Sequence, residues 1–206
     1  MPARFGIIFP EMVENLSYHQ EKTMRKLIVF TNISLDGYFE GPGNDISGFK
    51  NDFEAFSSEP GQVVDGLLFG RKTYDMMKFW STPQAVERMP EVARFMSETQ
   101  KYVASHKDFD PGWQKVTVLS GDVAAQVKAL KEGPGQNMMM FGSNELVVSL
   151  LQAGLIDEMQ IVVNPVALAQ GTPLFKGLPG KVDFALKSSK VFKSGAVLLR
   201  LEPVKG

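Results

Sequence analysis

The chain has no cysteine, only two histidines, and 22 basic against 23 acidic residues in 206. Each shortage removes a class of function. Without cysteine there are no disulfides, thiolate metal sites or thiol nucleophiles, which suits a reducing compartment, and a cytoplasmic protein is expected. His19 and His106 cannot build a multi-histidine zinc centre, and no His-Glu-x-x-His, Walker A or Gly-x-Ser-x-Gly pattern occurs, so no metal site is expected. A formal net charge of −1 gives no global attraction to nucleic acid or to an anionic membrane. An anionic ligand must then be gripped locally, and the expected partner is a small molecule. The apolar patch Phe5 to Pro10 is too short for a signal-peptide core or a bilayer span.

What is present suits one globular domain, with 44% hydrophobic and 22% charged residues. Residues 1–23 read as a poorly ordered N-terminal extension or an upstream start, and 24–206 as the domain. Asn137 to Pro165 reads as strand, Gly-Ser turn, helix, glycine stop and strand. Met138 to Phe141 is a short apolar run suited to a strand buried on both faces. Gly142 turns the chain, Ser143 is the expected N-cap, Glu145 lies in the first helical turn, and Leu146, Val147, Leu150 and Leu151 mark the apolar face. Such a turn leaves backbone N–H groups free at the strand end and can hold a phosphate. It can equally be an ordinary capped turn.

Val63 to Phe69 repeats the pattern and runs into Gly70-Arg71-Lys72-Thr73. Two cations and a hydroxyl at a helix start oppose the usual preference for acids there, which suggests an anion. Arg71 can make bidentate contacts to a phosphate oxygen pair. Lys26 to Ile33 is the first strand, broken by Ser34-Leu35-Asp36-Gly37, which can be a plain turn. Gly41 to Gly48 is loop-like and carries Asp45. Phe49, Phe53 and Phe56 have helical spacing, with Asp52 off that face. Residues 81–100 read as a helical excursion restarted at Pro90. Lys101 to Ser105 is a strand ending in His106, a possible phosphate neighbour only if the sheet is parallel there. Asp122 caps a helix that stops at Gly133. Gly171 to Phe175 reads as a turn, and 182–192 with 196–201 as a C-terminal antiparallel hairpin. Strands alternating with helices, then a hairpin, imply a mixed α/β sheet sandwiched by helices.

Six segments agree in order and spacing: Ser34-Leu-Asp-Gly-Tyr38, Gly70-Arg-Lys-Thr-Tyr74, Lys101-Tyr-Val-Ala-Ser105, Phe141-Gly-Ser-Asn-Glu-Leu146, Leu155-Ile-Asp-Glu158 and Pro165 to Phe175. The chain resembles the dihydrofolate reductase-like superfamily, and more narrowly proteins grouped with the C-terminal reductase domain of the riboflavin-biosynthesis enzyme RibD. The resemblance implies a three-layer αβα sandwich with a mixed, mostly parallel sheet, and NADPH bound along the strand ends. Gly70, Arg71, Lys72 and Thr73 would hold the adenosine side, with Ser105 near the 2′-phosphate. Phe141, Gly142, Ser143, Asn144, Glu145 and Leu146 would carry the pyrophosphate turn. Thr31 to Asp36, with Ser34 and Leu35 among them, would lie by the nicotinamide, and Asp45 or Asp52 would orient the substrate, so Asp36, Asp45 and Asp52 are the acidic catalytic candidates. The expected activity is NADPH-dependent reduction of a C=N or C=O bond in a small heterocycle. A non-catalytic NADP(H)-binding module, a pterin reductase and a riboflavin-pathway pyrimidine reductase are the alternatives. A homodimer through the C-terminal strands is expected by the same analogy. The chain departs from the riboflavin reductases at Tyr38, where they are typically basic, in lacking an Asp-Pro-x-Leu segment, and at Ala169, where a glycine is usual.

Overall fold

The computed structural model describes residues 24–50, 63–107 and 109–204. Its strands are β1 Leu27–Ser34, β2 Tyr38–Glu40, β3 Val64–Gly70, β4 Gln100–Ala104, β5 Val116–Leu119, β6 Asn137–Phe141, β7 Glu158–Asn164, β8 Thr172–Pro173, β9 Phe184–Val191 and β10 Val197–Pro203. The helices are α1 Arg71–Met77, α2 Pro83–Arg88, α3 Pro90–Glu98, α4 Val123–Glu132 and α5 Asn144–Gln152, with short 3-10 turns at Pro42–Asn44 and Lys78–Ser81.

Eight strands form one sheet in the order β5-β4-β3-β6-β1-β7-β10-β9. The first six are mutually parallel, and β10 and β9 complete the sheet antiparallel. The two-residue period of a strand sorts its apolar side chains onto opposite faces. Leu27, Val29, Leu68, Met138 and Met140 join Val127 of α4 and Leu146, Val147, Leu150 and Leu151 of α5 in one core. Ile28, Leu67, Phe69, Val103 and Met139 face the other way, onto Tyr74 of α1, Trp80, Ala85 of α2, and Ala93 and Met96 of α3. This is the expected three-layer αβα sandwich. Of the helix suggested by Phe49, Phe53 and Phe56, only its start is described: Phe49 is buried and its amide donates to the Ile46 carbonyl at 3.1 Å in a turn, while Phe53, Phe56 and Asp52 lie outside the described residues.

One local reading changes. Thr172-Pro173 is not a simple turn: it pairs antiparallel with Tyr38–Glu40 to make a small second ribbon. Gly171 permits this, because a Cβ there would lie 2.1 Å from the Glu40 carbonyl oxygen. Lys101, at the start of β4, is fully buried and donates to the carbonyls of Met96, Ser97 and Thr99 at 2.8, 3.1 and 2.7 Å, closing the end of α3.

Charged side chains close the N-terminal edge of the parallel strands. Buried Arg25 donates to the Gln136 carbonyl at 2.6 Å and pairs with Asp65. Buried Lys131 donates to the Leu155 carbonyl at 2.6 Å and pairs with Asp157, which also accepts the Leu27 amide at 2.7 Å. The opposite edge, where the strands end, remains open to a ligand.

Candidate functional site

In an open parallel sheet, ligands bind in the crevice outside the carboxyl ends of the strands. A cleft of about 980 Å³ lies there, crossing the ends of β4, β3, β6 and β1. That volume is at the upper end of the range for small-molecule sites. Its floor is aromatic: Phe141 stacks on Phe69 with centroids 5.8 Å apart and meets the edge of Phe30 at 5.9 Å.

Two strand-to-helix turns meet in the middle of this cleft. β3 passes into α1 at Gly70, and β6 passes into α5 at Gly142-Ser143. Because β3 and β6 are neighbours, with Phe69 opposite Phe141, the turns pack against each other. A Cβ on Gly70 would lie 2.4 Å from Ser143 Oγ, and one on Gly142 would lie 3.3 Å from Thr73 Oγ1. Gly142 and Ser143 both have positive φ, 54° and 65°. A serine in this region is strained, and such strain concentrates at functional turns. Ser143 holds the N-cap position as expected, but its hydroxyl makes no capping bond. α1 likewise begins at Gly70 without a side-chain cap or an acid in its first turn. Elsewhere, Thr82 caps α2 and Asp122 caps α4.

Thr31, Gly70, Arg71, Lys72, Thr73 and Ser105 line the cleft, as does every residue from Phe141 to Leu146, and His106 joins them. The parallel pairing of β3 with β4 brings Ser105 and His106 to the same edge as Gly70. Ser34 and Leu35 are not among the lining residues. The Ser34 hydroxyl is buried in its own turn, where it accepts the Tyr38 amide at 3.0 Å, and Leu35 points to solvent.

The cations have protein partners, which corrects the expectation that only an anion explains them. Arg71 Nε donates to Asp75 at 2.9 Å, and its guanidinium lies 3.7 Å from the centroid of Phe109. Lys72 Nζ donates to Asn44 at 2.6 Å and lies 3.7 Å from Glu40. Both still face the cleft.

The acidic candidates separate from it. Asp36 accepts the amides of Leu168 at 3.1 Å and Ala169 at 2.8 Å, which fixes the turn in which Ala169 adopts φ +60°. The Ser34 hydroxyl and these amides hold its carboxyl at about 2, below the ordinary 3.8. Asp45 accepts the Ser47 amide at 2.8 Å, and that bond likewise lowers its pKa. Neither carboxylate lines the cleft, and Asp52 lies outside the described residues. Glu40 does line it. This carboxylate is buried, accepts the Thr172 hydroxyl at 2.9 Å and faces Lys72. Its only trace in the sequence is a charge next to Gly-Pro-Gly, which reads as loop. Among the described residues, no group of three or more His, Asp and Glu could hold a metal, and no helix is long and apolar enough to cross a membrane.

The geometry is that of a dihydrofolate reductase-like fold with its ligand crevice at the parallel strand ends, and the chain belongs to the RibD C-terminal domain family, whose model matches residues 25–198. It is 24% identical over 174 residues to the uncharacterized protein YyaP of Bacillus subtilis (strain 168), covering 84% of this chain and 92% of that one. A pyrimidine reductase-like protein from Corynebacterium diphtheriae superposes with a TM-score of 0.68 at 11% identity, over 88% of this chain and 93% of the other. Enterococcus faecalis dihydrofolate reductase complexed with NADP(H) superposes with a TM-score of 0.60 at 13% identity, over 87% of this chain and 97% of the enzyme. At these identities the two structural likenesses bear on the fold alone.

Proposed function

We propose that this protein is an NADPH-dependent reductase that delivers hydride to a C=N or C=O bond of a small heterocyclic substrate. The observation that carries this reading is the pair of abutting turns, Gly70 and Gly142-Ser143, which open two uncapped helix starts into one cleft. Free backbone N–H groups and the helix dipole favour a diphosphate at such a place. Arg71, Lys72 and Ser105 would take the phosphorylated ribose, while Phe30, Thr31 and Asn32 would lie under the nicotinamide. When bound, NADPH supplies the hydride, and the protein supplies orientation and a site sheltered from water. Glu40 is the buried carboxylate best placed to hold a polar N–H edge of the substrate. A proton can then arrive through water. Homodimerisation belongs to the same proposal, through β9, the outermost strand, which exposes Leu186 and Val191.

One observation favours a second reading, a binding module without turnover: Asp36 and Asp45 are both engaged with turn amides. Following NADPH oxidation over a panel of pterins, pyrimidines and quinoid or carbonyl compounds separates the two. Oxidation with any of them supports the reductase. Tight NADPH binding with silence across the panel supports the module.

A further inference from the structure

Arg71 is held from two directions. Its Nε donates to Asp75, one turn further along α1, at 2.9 Å. Its Cζ lies 3.7 Å from the centroid of the Phe109 ring, within the range at which a cation is attracted to a ring face. The guanidinium is planar, so a bond at one corner and a ring against one face fix its plane. Its Nη1 and Nη2 groups make no hydrogen bond among the described residues. What remains on offer is that edge, whose paired N–H groups match two oxygens of a phosphate. Arg71 lines the cleft, whereas Phe109 is not among the lining residues.

Phe109 is itself anchored. It lies in the connection between β4 and β5, and its ring packs on Tyr74 of α1 with centroids 5.7 Å apart. Tyr74 is fully buried, and its hydroxyl donates to the Pro111 carbonyl of the same connection at 2.8 Å. Trp113 packs on Tyr74 as well, at 6.0 Å. Tyr74 follows Arg71 by three residues, so one turn of α1 carries both the arginine and the anchor of the ring against it. Resting on the cofactor reading above, in which Arg71 takes the phosphorylated ribose, we propose that Phe109 is a positioning residue for cofactor choice: from outside the cleft it holds the Arg71 guanidinium ready for the 2′-phosphate and so sets the preference for NADPH over NADH. Without the ring, the long arginine side chain must be ordered at the moment of binding. Only a ligand that carries the 2′-phosphate meets that cost.

Titrations of NADPH and NADH into the whole protein test the assignment. Phe109→Leu keeps an apolar side chain and removes the flat ring. It is expected to weaken NADPH by about 2–10-fold, as for ordering one long side chain on binding, and to leave NADH at the wild-type value. Phe109→Tyr keeps the ring and should keep the wild-type ratio of the two affinities. In an Arg71→Ala background, Phe109→Leu should change neither affinity, because the group it acts through is gone. The 31P resonance of the 2′-phosphate of NADP+ bound to wild-type protein should move toward its free position in Phe109→Leu. NADH binding by each variant reports an intact fold, and Phe109→Met, which fills the same half-buried place, keeps the test open if Phe109→Leu does not fold. Equal losses for both nucleotides, or an unchanged ratio with an unmoved resonance, overturn the role of Phe109 alone. A wild-type protein that binds neither nucleotide, or binds both alike, overturns the reading on which the inference rests, and the inference with it.

Discussion

Gly70→Ala is the substitution whose consequence follows most directly from the geometry. Gly70 has φ −73° and ψ 156°, which any residue adopts, so backbone strain is not the issue. The added methyl would lie 2.4 Å from Ser143 Oγ and 2.8 Å from Ser143 Cβ. Because Cβ is involved, a rotamer change of Ser143 cannot relieve the overlap. Normal carbon contacts start at about 3.5 Å, so one turn must retreat by roughly 1 Å. Overpacking of this kind costs about 1–3 kcal/mol. At about 2–4 °C per kcal/mol for a chain of this size, the unfolding midpoint should fall by roughly 2–12 °C. The same displacement separates the two helix starts, so NADPH affinity should fall with it. Gly70→Ala/Ser143→Gly removes the overlapping atoms and also relaxes a positive-φ serine, and it should restore the midpoint. Scanning calorimetry on the three proteins, with NADPH titrations, checks this. A Gly70→Ala protein that melts and binds like wild type would refute the close packing of the two turns.

Three further outcomes follow from individual side chains. Arg71→Ala should weaken NADPH by about 10–100-fold, as for loss of a charge-assisted phosphate contact, and leave NADH unchanged; equal losses in fluorescence titration would remove its 2′-phosphate role. A carboxyl held at about 2 in the fold against an ordinary 3.8, as at Asp36, contributes stability that is complete above about pH 3.8 and lost as the pH falls through about 2. Urea midpoints of wild type and Asp36→Asn should therefore differ by a constant amount above pH 4 and converge toward pH 2; a gap that persists at pH 2 would contradict this. Lys101→Met strands three carbonyls at the end of α3 and should cost about 2–4 kcal/mol in urea unfolding while leaving NADPH affinity intact, because Lys101 lies at the far end of β4 from the cleft.

The sheet was legible because its central strands are short apolar runs with nowhere to go but a two-sided interior: Leu27 to Val29, Leu67 to Phe69 and Met138 to Met140. The turns at Gly70 and Gly142 were legible for the same reason, since each follows such a run directly. Long-range partners were not. The pairing of Tyr38–Glu40 with Thr172–Pro173 joins segments about 130 residues apart through the missing side chain of Gly171, and no local pattern announces it. Glu40 was hidden by the same fact, because its burial depends on that ribbon. Arg71 and Lys72 looked unpaired in sequence because two of their neighbours, Phe109 and Asn44, arrive from elsewhere in the chain. Asp36 and Asp45 looked available because amides that will be bound by a carboxylate carry no mark in the sequence.

On the proposal above, this cleft binds NADPH through the two abutting turns. Thermal unfolding of the wild-type protein, alone and with NADPH or NADH up to millimolar concentration, tests it most directly. Ligand at 100 times its dissociation constant stabilises the fold by about 2.7 kcal/mol, which at this chain length raises the midpoint by roughly 5–11 °C. A rise of that size with NADPH, and a smaller one with NADH at the same concentration, is the predicted result. No shift with either nucleotide at millimolar concentration would contradict NADPH binding in this cleft.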